Sequence, residues 1–125
     1  MNKIISIFLF TLLNAISINA FEVTEFTVCK QIIDREPIQS DSIFQLSDKM
    51  VHVFCRLGNI QKEDSIHYQW YFNDKQIHTF TTEIKPSARW RSWSTKKLYE
   101  NKGTWNVKLT NNQGEIVAEK TFTVQ

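Results

Sequence analysis

Residues 88–96 read ARWRSWSTK and place two tryptophans, two arginines and a lysine within nine positions. A guanidinium can stack on an indole face, and its planar fork matches a carboxylate or phosphate. Such a strip suits an anionic group or the apolar face of a sugar. The same side chains can equally cover one another or a neighbouring loop. In an extended segment Trp90, Ser92 and Ser94 face one way, and Arg89, Arg91, Trp93 and Thr95 the other. One tryptophan then fills the core, while Trp93 stands outside beside Arg91. The candidate binding residues are Arg89, Arg91, Trp93 and, at the strand end, Lys96.

Other residues capable of chemistry are sparse. No Gly-x-Ser-x-Gly elbow is present, and only His52, His67 and His78 are available as bases. Asp34 and Glu36 lie two apart, but in a proline turn, where a solvated or capping pair is expected. If Asn73-Asp74 turns a hairpin, His78 falls opposite Gln69 and becomes a diagonal neighbour of His67. Two histidines without a third ligand make a weak metal site. The three glycines, Gly58, Gly103 and Gly114, are isolated and form no phosphate loop. No catalytic residue, metal site or cofactor is expected.

The first residues bear on compartment. Met1-Asn2-Lys3 is a short positive region, Ile4 to Leu13 an apolar one, and Ala20 a small residue at a cleavage site. Residues 1–20 read as a secretory signal peptide, with an uncleaved anchor as the alternative. Removing them from 125 residues leaves 105, a single domain spanning 21–125. That chain carries 14 basic and 13 acidic residues, which is no footprint for nucleic acid. Its aromatic content, 13% of the sequence, is too high for disorder. Cys29 and Cys55 are the two cysteines. In an oxidising compartment they are expected to form a disulfide, and otherwise to be two buried thiols.

Period-two patterning dominates from Glu22 onward. Strands are expected at Glu22 to Ile33, Met50 to Leu57, Ile66 to Asn73, Gln76 to Ile84, Arg89 to Thr95, Thr104 to Thr110 and Glu115 to Val124. DREP at 34–37 breaks the first of these, and a polar loop containing SIFQL follows. Thr95 to Gly103 is a candidate for one helical turn. About seven short strands argue for an all-β fold, a small antiparallel sandwich of immunoglobulin type. Its core should centre on Trp70, Trp90 and Trp105, surrounded by Phe72, Val107, Leu109, Phe122 and Val124.

IDREP, YQWYF, RWRSWSTK, GTWNVKL and GEIVAEKTFTV resemble the bacterial family of domains of unknown function numbered 2914. The most specific elements are Arg89 to Lys96 and Gly103-x-Trp105-x-Val107. One departure is Tyr68, where the family pattern carries a histidine two residues before the hairpin tryptophan. His67 faces the opposite way and does not take that role. The resemblance implies a β-rich exported domain and assigns no activity, substrate or cofactor. The function expected is an exported, non-catalytic binding or interaction module of the cell envelope, periplasmic or secreted. Its partner would be an envelope protein or glycan, and no membrane span would remain after cleavage. A small metal-dependent protein or enzyme, or a structural subunit of an envelope assembly, are the alternatives.

Overall fold

A computed structural model describes residues 20–125. The expected signal peptide therefore lies outside the described residues, apart from Ala20. The alternating segments form nine strands: β1 (Glu22–Ile33), β2 (Glu36–Ser40), β3 (Ile43–Phe44), β4 (Met50–Ile60), β5 (Asp64–Phe72), β6 (Lys75–Ile84), β7 (Ser87–Lys97), β8 (Gly103–Thr110) and β9 (Ile116–Val124). They build two packed sheets, ordered β2-β1-β4-β7 and β3-β9-β8-β5-β6. The chain crosses between layers at β2–β3, β3–β4, β4–β5, β6–β7 and β7–β8, and the two layers make an immunoglobulin-like sandwich.

Three segments differ from expectation. The polar loop contributes the extra strands β2 and β3, and β3 pairs parallel to β9, so the second sheet is mixed. Phe44 is the reason, because its fully buried ring packs edge-on against Phe122 at 5.6 Å. The expected helical turn is absent. Thr95 to Lys97 continue β7, and buried Leu98 holds a turn that closes with the Asn101 N–H donating to the Leu98 carbonyl. A short 3-10 turn forms instead at Leu46–Asp48.

Two tight turns carry positive φ at both central residues, Asp34-Arg35 and Asn73-Asp74. That geometry matches the twist of a two-residue hairpin, and Asn and Asp tolerate it best among side-chain-bearing residues. Gly103 has φ of +140°, and a Cβ there would lie 3.0 Å from Asn73 Oδ1. A glycine before Trp105 is thus required by the close approach of the β5–β6 turn.

The core follows strand parity. Val51, Val53, Cys55 and Leu57 of β4 face Ile66, Tyr68 and Trp70 of β5, all fully buried. Phe122 is the aromatic hub, stacked on Trp105 at 5.8 Å and edge-on to Trp70 at 6.4 Å. Trp90 differs from expectation: it is half-buried and packs against the core from its border, as does Phe72. The cause is position, since β7 is the last strand of its sheet.

Two polar hydrogens inside this core find partners across the layers. Trp70 Nε1 donates to Ser94 Oγ at 3.0 Å, and the Tyr68 hydroxyl donates to Ser92 Oγ at 2.9 Å. Cys55 Sγ lies 3.0 Å from the same tyrosine oxygen. The Y-x-W of β5 therefore matches the S-x-S of β7. Ser94→Ala leaves the Trp70 N–H with no acceptor and should cost about 1–3 kcal/mol, the desolvation cost of a buried donor. Ser92→Ala should cost less, because Tyr68 retains the Cys55 sulfur. Urea melts of the two variants check the order.

Candidate functional site

Strand parity places Arg89, Arg91 and Trp93 on the outer face of the β2-β1-β4-β7 sheet, as expected. Their registry partners on β4 are Gly58, Arg56 and Phe54. Lys96 does not join them. It pairs with buried Val51, hence faces the other way, and its Nζ sits 5.2 Å from the Tyr99 ring centroid.

The outer face is largely covered. Arg56 bonds Glu36 through Nη2 at 2.8 and 2.9 Å and Glu25 through Nε at 3.2 Å. Yet Glu36 pairs with Ile33, eight residues along β1 from Glu25. In a flat strand that separation is roughly 27 Å. The β1–β2 hairpin must therefore bend and fold back over the sheet. Its tip reaches the far edge, where Arg91 Nη1 donates to the Arg35 carbonyl at 3.3 Å and lies 3.5 Å from Glu36. Glu36 is thus an ion-pair bridge, where a solvated or capping carboxylate was expected.

Beneath the hairpin, Phe54 is fully buried although it faces outward. Trp93 stacks on it at 6.4 Å with 17° between the rings, and Arg56 Cζ lies 5.3 Å from the Phe54 centroid. Arg56 is held further into its charged form by the Glu36 hydrogen bonds, against a smaller desolvation effect. Arg91 and Trp93 therefore cover a neighbouring hairpin and ring, and of the four candidate binding residues only Arg89 is exposed. On the same face His52 Nδ1 lies 2.7 Å from Thr95 Oγ1, and burial lowers the His52 pKa.

The expected disulfide does not form, and both cysteines are free and buried. Cys29 pairs with His52, three residues along β4 from Cys55. That offset is roughly 10 Å, beyond the Cα separation a disulfide spans, and an odd offset points the thiols to opposite faces. Cys55 faces Tyr68 in the core, and Cys29 lies outside it beneath the hairpin. Burial pushes each thiol up to about 11, so both stay protonated at neutral pH. Native protein should react with no thiol reagent at pH 8, and denatured, unreduced protein should titrate two thiols.

The histidine pair is separated as well. A bulge leaves Ile77 without a partner, so His78 lies opposite Trp70 and Thr79 takes the place opposite Gln69. His67 instead pairs with Thr81, whose hydroxyl is 2.8 Å from His67 Nδ1. The inserted residue reverses parity, and the two imidazoles leave on different faces.

One cleft opens at the end of the sandwich, with a volume of about 530 Å³. Leu46, Met50 and Tyr99 supply its apolar surface, with Lys49 and Lys97 among its walls. Lys49 (φ 68°) and Tyr99 (φ 52°) both hold left-handed backbone, and the Leu98 N–H donates to the Lys49 carbonyl at 2.9 Å. That bond ties the two walls together. Tyr99 is 66% exposed, the most exposed large hydrophobic side chain among the described residues. The sequence signal available was the KKLY run that ends β7 and leads out of it, which the expectation of a helical turn obscured.

A profile described as "Protein of unknown function (DUF2914)" matches residues 63–124. Over this segment the chain is similar to DUF2914. The DUF2914 segment runs from β5 to β9, so it holds both halves of the Tyr68–Ser92 and Trp70–Ser94 bonds. The IDREP stretch and both cysteines precede it. A search of curated proteins finds no match.

Proposed function

We propose that this protein is an exported, non-catalytic binding module of the cell envelope, with the end cleft as its recognition surface. The observation that carries the reading is the cleft itself. It joins an apolar floor to an exposed tyrosine and lysine ammonium groups, and its size suits a small ligand or a short segment of a partner. A lysine over a tyrosine face is already present in Lys96 and Tyr99, and the Leu98–Lys49 backbone bond holds the two walls in place.

The groups that could perform chemistry support a non-catalytic role, because their positions are structural. Cys55 and Tyr68 are fully buried and bonded to each other and to Ser92, and burial raises the pKa of both. His67 is tied to Thr81. Export rests on the N-terminal pattern of a positive start, an apolar run and Ala20. No helix among the described residues is long and apolar enough to cross a membrane.

A photo-crosslinking residue at Tyr99, introduced in cells, should give a discrete adduct from the envelope fraction. The same residue at Glu119, exposed on the outer face of the second sheet, should give none. Equal labelling from both positions, or recovery of the protein in the cytosol with residues 1–20 intact, contradicts the proposal.

A further inference from the structure

Each sheet has two edges, and an unpaired edge offers a row of backbone donors and acceptors to another strand. Three of the four edges here are guarded. β2 has five residues, includes Pro37 and carries Gln39 at φ 57°, so it cannot present a regular ladder. β3 is only two residues long. β7 is long but carries Arg89, Arg91, Lys96 and Lys97, and charged side chains are a standard protection for an exposed edge.

β6 is the exception. It has ten residues, it ends the second sheet, and from Gln76 to Thr82 it contains no formally charged side chain and no proline. Every residue from Lys75 to Thr81 is exposed, and Ile77 and Phe80 show 39% and 38% of their surface. Phe80 lies on the inner-face parity, 6.0 Å from the Tyr68 ring, and overhangs the edge. The bulge at Ile77 disturbs one end, but His78 to Ile84 pair with β5 without interruption.

From this asymmetry we infer that β6 pairs antiparallel with β6 of a second copy of the chain, joining two five-stranded sheets across a two-fold axis near Phe80. The strand is self-complementary in that arrangement. Phe80 meets its own symmetry mate, Thr79 meets Thr81, and His78 meets Thr82, all cross-strand pairs that suit a ladder. The uncharged centre brings no like charges together. At each end Glu83 of one copy stands opposite Ile77 of the other and is a diagonal neighbour of Lys75, while Lys75 itself meets Lys85 just beyond the strand end. A two-fold axis repeats each contact, as an isologous interface requires. β6 lies away from the end cleft residues, so this inference does not depend on the binding reading above.

Sedimentation velocity on the purified protein over a concentration series provides the test. The dimer fraction should rise with concentration. Thr79→Lys and Phe80→Lys should each weaken association by about tenfold or more, because two lysines then lie directly opposite (position 80) or diagonally adjacent (position 79) about the axis. Thr79 is exposed, so its variant keeps the test valid even if Phe80→Lys disturbs folding. Under mild oxidation Phe80→Cys should give a covalent dimer, whereas Glu119→Cys on β9 should not. A monomer at every concentration overturns the inference, including one whose β6 is covered only by a strand from another protein. A dimer that both lysine variants leave intact, with no crosslink at position 80, overturns it too.

Discussion

A buried tyrosine and a buried tryptophan each bring a polar hydrogen into an apolar interior, and each must find an acceptor there. Tyr68 and Trp70 find theirs on the opposite sheet, in Ser92 and Ser94. The rest of the arrangement follows from that pairing. Slipping β7 by one residue would turn the serines outward and bring Arg91 and Trp93 toward the core. The hydrogen bonds therefore hold the relation between the layers and, by parity, determine what the outer face displays. Hydrophobic burial alone is not directional; these two donors are.

The outer face then acquires a second layer of consequence. With Trp93 and Phe54 both outward, a large apolar surface would stand in water unless something covered it. The β1–β2 hairpin does so, held by Arg56 between Glu25 and Glu36 and by Arg91 at its tip. These ion pairs are partly exposed, so their individual contribution to stability is small. Their role is positional, since the fork of Arg56 joins two carboxylates from different stretches of the hairpin. The arginine and tryptophan cluster that looks most like a ligand platform is thereby occupied by the protein's own chain, and the end cleft is left as the proposed recognition surface.

Much of the fold was legible. Alternation in IHYQWYFN, MVHVFCRL and TWNVKLT gave the inward faces of β5, β4 and β8, and Asn73-Asp74 announced its hairpin. Parity in ARWRSWSTK separated Trp90 from Trp93 correctly. What remained hidden depends on long-range geometry. The hairpin over the outer face needs contacts between residues 20 and 56 positions apart, Glu36 to Arg56 and Arg35 to Arg91. A single bulged residue, Ile77, moved His78 out of register with His67. The disulfide failed for the same kind of reason: two cysteines on neighbouring strands are close only if register and parity agree, and here neither does. Ser92 and Ser94 looked like filler until the donors opposite them were in place.

The central claim is that the Y-x-W and S-x-S segments act as one unit, and a double-mutant cycle tests it most directly. Wild type, Tyr68→Phe, Ser92→Ala and the double variant would be unfolded in urea under identical conditions. Direct partners should show a coupling of about 0.5–3 kcal/mol, with the double variant losing less than the sum of the single losses. Losses that add to within about 0.3 kcal/mol would mean the two hydroxyls stabilise the protein independently, and the account of what aligns the layers would be wrong.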